Sequence, residues 1–437
     1  MNLNLKNIFF LVYLFSAFSS FAQEKRIISL EEAIQTGIQY SRKLKISEAK
    51  ISEANAMVTE AKNRQLPDFK ISGSYLRLSS ANIDLKNSGG SSPESFPGVS
   101  SALFGIGNAS LPLYAGGKIR FGITSAKYLL EASRLENAND SNAIAFNIIE
   151  AYINLYKSRE AIKIVQENLQ AARSRDTIFS NLEKNGLLAR NDLLKSELQT
   201  TQTELALLDA ENDSKIANVN MDLILGFPES AIIETEIDFL KDIPDVPSFN
   251  EVEQQAIQQR KDLQASSLRI QSAQLGIKSA EADKLPTIAI TGGYIAAVIP
   301  HLLSVTNAVN IGLGVQYNLA NLWKSNSGLT RAKAQLAEAN AAGELLMDQI
   351  KLQSNRDYQD FILSKNKIEV YEKALAQAQE NYRITNNKYL NNLATLTDLL
   401  EANASLFQAK LNVPFAKADS YMAYKKLMMT TGSIHGN

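Results

Sequence analysis

Leu66-Pro67-Asp68-Phe69-Lys70-Ile71-Ser72-Gly73-Ser74-Tyr75 returns, 219 residues further on, as Leu285-Pro286-Thr287-Ile288-Ala289-Ile290-Thr291-Gly292-Gly293-Tyr294. The same shift pairs Leu44 with Leu263 and Ile51 with Ile270. Downstream the shift becomes 206: Ala126-Lys127 meets Ala332-Lys333, Tyr152 meets Tyr358, and Asp192-Leu193-Leu194 meets Asp398-Leu399-Leu400. Gly226 meets Gly432 in the same way. Two copies of one unit account for these pairs, with a 13-residue length change between Tyr75 and Ala126, where a loop absorbs it. The repeats run over 23–226 and 249–437. The acidic, proline-containing stretch between them, 227–248, reads as a solvated linker.

Around the duplicated stretches the apolar period is two. Val309, Ile311, Leu313, Val315, Tyr317 and Leu319 alternate with Asn310, Gly312, Gly314, Gln316 and Asn318. One apolar face and one small or polar face over that length is the pattern of a transmembrane β-strand, although a half-buried soluble strand alternates too. Pro286 to Val298, the run through Phe69, Ile71 and Tyr75, and Leu103 to Tyr114 supply the other three strands. The strand pairs are expected over 67–115 and 286–320. The first pair is joined by a Ser/Gly/Pro loop, Asn87 to Gly98, longer than its counterpart around Pro300 to Ala308.

Beyond each strand pair the period changes. No proline occurs between Leu113 and Phe227, and no glycine between Gly122 and Gly186. Ile144, Ile148, Ala151, Leu155, Ser158, Ile162, Val165, Leu169 and Ala172 step by fours and threes, a coiled-coil stripe with only Ser158 out of character. A helix from Lys118 to Lys184 would be about 100 Å long. Long hairpins are expected over 118–226, turning at Asn185-Gly186, and over 327–431, turning near Asn391-Asn392. Pro414 is expected to bend or interrupt the last helix. Shorter helices open each repeat, about Ser29 to Arg64 and Phe249 to Lys284.

Composition removes whole classes of chemistry. The formal net charge is −1, so no footprint for nucleic acid is present. There is no cysteine, and His301 and His435 are the only histidines. Thiolate catalysis, disulfides and most zinc sites are excluded. No phosphate-binding loop or nucleophile pair suggests an enzyme or a cofactor. Residues 1–22 read as a signal peptide: Lys6, an apolar run from Ile8 to Phe18, and small residues at Ser20-Phe21-Ala22.

Four strands cannot stand open in a bilayer, because edge groups left unpaired in hydrocarbon cost several kcal/mol each. Single-chain barrels begin at about eight strands, so copies of this chain must share one barrel. The competing reading is a soluble periplasmic coiled-coil adaptor or scaffold, for which one hairpin and no lipid-facing strand would suffice.

Across the mature sequence the chain resembles the TolC-like outer-membrane efflux family. The resemblance is carried by Leu30-Glu31-Glu32-Ala33, by Leu66-Pro67 and Leu285-Pro286 entering the strands, and by Leu111-Pro112-Leu113-Tyr114-Ala115-Gly116-Gly117-Lys118 leaving them. It continues at the helical turns, Asn185-Gly186-Leu187 to Asp192-Leu193-Leu194 and Tyr389 to Ala402. It implies an internally duplicated α+β membrane protein: four transmembrane β-strands per chain complete a trimeric 12-stranded barrel, and coiled-coil helices form a periplasmic α-barrel. It further implies a passive exit duct working with a periplasmic adaptor (a membrane fusion protein) and an inner-membrane transporter of RND, ABC or MFS type, surrounded by outer-membrane lipid. Cargo, small molecule or protein, is left open. The second repeat departs from the family at the strand exit, with Asn318 and Leu322-Trp323 where the first has Pro112 and Gly116-Gly117. Trp323 reads equally as an interfacial aromatic or as a packed side chain.

The resemblance also locates candidate sites. Asp398, Glu401 and Asp192 stand where the family carries acidic residues around a narrow periplasmic entrance, and Tyr389 stands where a tyrosine helps latch it. The competing reading of the aspartates is helix capping. The basic residue expected five positions after Tyr389 is replaced by Ala394. Gly186, Leu187, Leu188, Leu393 and Ala394 are candidates for adaptor docking, or for capping contacts within their own hairpins. Asn310, Gln316 and Asn318, on the polar face of the last strand, are expected to face the barrel lumen.

Overall fold

A computed structural model describes residues 25–81, 99–237, 246–300, 303–322 and 326–432, together with 240, 244 and 324. The signal segment, most of the Ser/Gly loop, both histidines and Trp323 lie outside them. In order, the elements are β1 (Lys25–Ile28), α1 (Leu30–Tyr40), α2 (Arg42–Asn63), β2 (Asp68–Ala81) and β3 (Val99–Tyr114). Then come α3 (Lys118–Lys184), α4 (Arg190–Leu225) and β4 (Ile232–Thr235). The second repeat contributes α5 (Phe249–Gln259), α6 (Lys261–Ala282), β5 (Thr287–Ile299), β6 (Leu303–Gln316), α7 (Ser327–Leu390) and α8 (Leu396–Thr430). The chain divides into two compact units, one of residues 48–136 and 262–345, the other of the remainder.

The first of these units carries a four-stranded antiparallel sheet in the order β2-β3-β5-β6. Its register sorts side chains by face. Phe69 lies opposite Ala109, Gly292 and Ile311 in turn, and Ile71 opposite Gly107, Tyr294 and Val309. The other face carries a polar row, in which Lys70 meets Asn108, Asn108 meets Gly293, and Gly293 meets Asn310. The apolar face is bare: Ile71 is 94% exposed and Ile311 84%. Such a face in water would be a liability; in hydrocarbon it is the favourable arrangement. Below the strands, α2 packs on α3 through Ala54, Val58 and Leu130. The two repeats are joined by a Ser125–Ser272 hydroxyl contact of 2.7 Å and by ion pairs from Lys118 to Asp283 and from Arg269 to Glu136.

The other unit is built on the coiled-coil stripe. Ile144, Ile148, Ala151, Leu155, Val165, Leu169 and Ala172 are all buried. Ser158, the polar member, is half-buried and donates its hydroxyl to the Leu155 carbonyl at 2.8 Å, which removes the need for an outside partner. Gly37 of α1 is seated so closely on α3 that a Cβ would come within 2.6 Å of Ile148 Cδ1.

Two expectations need correction. The stretch 227–248 is not simply a solvated linker, because β4 pairs in parallel with β1 and Ile233 is fully buried. The pairing is clamped by side chains from the long helices. Tyr152 donates its hydroxyl to the Ile28 carbonyl at 2.8 Å and accepts from the Glu236 amide at 2.8 Å. Asn218 accepts from the Ile233 amide at 3.0 Å and donates to the Ala231 carbonyl at 2.7 Å. Asn218 also donates to Asp222, whose carboxyl burial pushes up to about 6. Acidic, proline-rich composition hid a four-residue strand whose partner lies at the other end of the repeat. Pro414, for its part, does not interrupt α8, which runs unbroken from Leu396 to Thr430. The one hydrogen bond that proline removes is outweighed by packing: Ala409, Ala416, Ala418 and Tyr421 on either side are buried.

Candidate functional site

The two hairpin turns, equivalent in the repeat, share a left-handed residue and the same pattern of backbone hydrogen bonds. At the α3–α4 turn Gly186 has φ +73°, and at the α7–α8 turn the equivalent Asn392 has φ +60°. A left-handed residue there lets its own amide and the next one fold back on the helix end. Gly186 and Leu187 donate to the Glu183 and Leu182 carbonyls at 2.9 and 2.8 Å. Asn392 and Leu393 donate to the Tyr389 and Lys388 carbonyls at 3.0 and 2.8 Å. Asn185 and Asn391 each cap a further carbonyl four residues back, at 2.6 and 2.8 Å. With the backbone self-satisfied, the leucine that follows is pushed outward: Leu187 is 75% and Leu393 76% exposed. Leu188 and Ala394 are half-buried, and Leu188 packs against the cluster beneath the turns.

That cluster draws on all four long helices. Phe179 of α3, Leu193 of α4, and Leu396 and Leu399 of α8 are buried together, with Tyr382 and Tyr389 of α7 against them. The Tyr389 ring lies 5.9 Å from that of Phe179. Burial raises the Tyr389 pKa, the nearby Asp192 carboxylate raises it further, and the Arg175 guanidinium opposes both.

The acidic residues differ in their surroundings. Asp398 accepts from the Thr395 amide and hydroxyl, both at 2.8 Å, while the Thr395 hydroxyl accepts from the Asp398 amide at 3.2 Å. This reciprocal capping box holds the Asp398 carboxyl below the usual carboxylate range, the Thr395 amide contributing most. Glu401, one turn on, is exposed. Asp192 has no such partner at the N-cap, where Ala189 stands; it pairs instead with Lys195 at 3.4 Å. Asp192 acts on Tyr389 through its charge, Asp398 shares a helix face with Glu401, and the apolar cluster links the helices that carry them.

Sequence reasoning missed Arg175, Asp176 and Ser196. Ser196 is fully buried, donates to Asp176 Oδ1 at 2.5 Å and accepts from Arg175 Nε at 3.2 Å. No local pattern announces this network, because its members meet only when α3 and α4 fold back on each other.

In the sheet, Asn310 and Gln316 belong to β6. Gly293 makes room opposite Asn310, since a Cβ there would come within 3.1 Å of the Asn310 Oδ1 and 3.2 Å of the Gly107 carbonyl. Asn318 lies beyond the strand: its side chain accepts from the Ala320 amide at 3.2 Å and starts the short 3-10 turn Leu319–Leu322. Among the described residues no cluster of His, Cys, Asp or Glu could hold a metal ion, and no helix is long and apolar enough to cross a membrane.

Both strand pairs and both hairpins lie within the residues matched by the outer membrane efflux protein family model, 33–227 and 252–433. The chain belongs to the outer membrane efflux protein family. Curated relatives include the outer membrane efflux protein BepC of Brucella suis biovar 1, 20% identical over 314 residues, 70% of this chain and 68% of BepC. The nodulation protein T of Rhizobium leguminosarum bv. trifolii is 23% identical over 427 residues, 92% of this chain and 85% of the relative. Among solved structures, the outer membrane protein VceC of Vibrio cholerae superposes with a TM-score of 0.76 at 19% identity, over 92% of this chain and 96% of VceC. This family member is therefore an outer-membrane efflux channel of TolC-like fold with a large periplasmic helical portion, and neither an enzyme nor a soluble adaptor.

Proposed function

We propose that three copies of this chain close a shared duct that takes cargo from a periplasmic adaptor and an inner-membrane transporter to the exterior. The observation that carries the reading is the pair of open edges on the sheet. Among the described residues β2 and β6 each have one unpaired side, and their apolar face is bare. Three copies joined β6 to β2 supply twelve strands and leave no edge in lipid. The long helices support the same closure. α4 exposes Leu194, Leu198, Leu205, Leu208, Ile216 and Leu223 at separations built from threes and fours, and α7 exposes Leu352, Leu363, Val370 and Ile384. Two different unpartnered seams on one chain suit a head-to-tail contact that closes as a ring. The Lys70, Asn108 and Asn310 row and Gln316 then line the lumen, in contact with water, while Asn318 shapes the strand exit.

In this assembly Asp398, Glu401 and Asp192 ring the periplasmic entrance, with Tyr389 latching it. Gly186 and Asn392 present Leu187 and Leu393 to the adaptor, while Leu188 and Ala394 buttress them. The transporter, whether RND, ABC or MFS type, and the cargo follow from which adaptor docks. Photo-cross-linkers placed at Asn185 and Asn391 in intact cells test the docking. Capture of an adaptor or transporter subunit at both turns is expected, and its absence at both under efflux conditions would remove the tips from the docking site. For the gate, Asp398→Asn with Glu401→Gln should lower cation preference in planar-bilayer recordings. Asparagine keeps an acceptor for Thr395, so unchanged selectivity would exclude both carboxylates from the pore.

A further inference from the structure

The side chain that the tip network leaves least explained is Arg175. It is a half-buried cation on α3 whose Nη2 is sealed from solvent and has no hydrogen-bond partner among the described residues. Its Nε donates to Ser196, which is itself committed to Asp176. It lies one helical turn before Phe179, and its partner Ser196 lies one turn after Leu193, the two buried residues of the first hairpin that are clustered with Tyr382 and Tyr389 of α7; burial holds its own pKa below the ordinary arginine value. A guanidinium in such a place is retained only where its charge or its fork is used, because an unpaired buried donor is destabilising. The second hairpin has no equivalent, since the repeat places Asn381 there.

We propose that Arg175 is the positioning cation of the closed periplasmic entrance, fixed to the first hairpin by Ser196 and Asp176 and holding Tyr389 of the second hairpin beside Asp192. This rests on the entrance reading above. It explains how the tip functions with Ala394 where a basic residue was expected: the cation is supplied from α3 instead of from the α7–α8 turn. Three features fit this role. The guanidinium offsets the Asp176 carboxylate, and partial burial of both groups weakens the screening of that pair by water. Its planar group suits packing beside the tyrosine rings. The bond to Ser196 prevents it from following Tyr389 when the hairpins part, so separation of the hairpins breaks the arrangement.

The test uses the full-length trimer in planar bilayers. Arg175→Gln removes the charge and Arg175→Lys keeps it. With Gln the ratio of open to closed entrances should rise roughly 5- to 30-fold, and Lys should recover a substantial part of the closed state. Tyr389→Phe should open the entrance less. Arg175→Gln combined with Tyr389→Ala should add little to Tyr389→Ala alone, because the two side chains act through one contact. Equal effects of Gln and Lys would assign Arg175 a packing role and overturn the proposal. So would full additivity with Tyr389→Ala, or an unchanged closed state. The last result, in a channel whose selectivity still responds to Asp398→Asn with Glu401→Gln, would sink Arg175 alone. A channel insensitive to both sets would sink the entrance reading as well.

Discussion

The two hairpin tips are the same backbone with different chemistry. Gly186 and Asn392 take up the same left-handed turn, and Leu187 and Leu393 protrude by the same amount. Leu193 and Leu399 are buried in the same cluster. The polar groups then diverge. At the second tip Thr395 and Asp398 satisfy each other, so the carboxylate is spent on the helix end. At the first tip Ala189 leaves Asp192 free of capping; it pairs instead with Lys195, and its charge helps raise the Tyr389 pKa. Duplication preserved what the turn requires and released what it does not. A shared backbone supports one docking shape twice, while the unequal carboxylates divide labour between a rigid tip and one that is electrostatically coupled to its neighbour.

This comparison can be broken in four ways, all read by hydrogen exchange at the tip amides, which reports local opening. The largest effects are expected from Leu193→Ala and Leu399→Ala, each costing about 2 to 5 kcal/mol of local stability by emptying the shared cluster. Strongly unequal losses would show that the tips do not share one core. Next, Thr395→Ala should cost about 1 kcal/mol at the second tip, whereas Ala189→Thr should add a capping box with Asp192 and stabilise the first. A destabilising Ala189→Thr would mean that Asp192 cannot leave Tyr389. Smaller again, Gly186→Asn should be tolerated at about a few tenths of a kcal/mol and Gly186→Val should cost about 1 to 2, since only residues at ease in the left-handed region fit.

The smallest effect is one of pH. The Asp398 carboxyl is depressed in the folded protein, so its contribution is complete above the unfolded value near 3.8 and is lost as pH falls through the lower folded value. Acidification below pH 4 should accelerate exchange at the Thr395 amide. Asp398→Asn, which keeps an acceptor for the Thr395 amide but cannot titrate, should abolish that response, and a persisting response would place its source elsewhere.

Much of this was legible in the chain. Strand positions followed from alternation around Leu66-Pro67 and Leu285-Pro286, and the long helices from a stripe that the structure buries almost residue for residue. Those patterns are local, so they survive in a linear reading. The β1–β4 pair was not legible, because two four-residue strands carry no period and gain their stability from Tyr152 and Asn218. Asn318 looked like the fifth residue of the polar face but caps the turn that follows the strand.

What the amino-acid order determined by itself is the duplication, the two periodicities and the identity of each turn, since these depend on neighbours within a few residues. What only the tertiary structure decided is which faces are spent and which remain open: Asp398 consumed by its own helix, Arg175 sealed between hairpins, two strand edges and two helical seams left without partners. The physical reason is that burial and hydrogen-bond satisfaction are properties of groups brought together from distant parts of the chain, and no local pattern records which groups those will be.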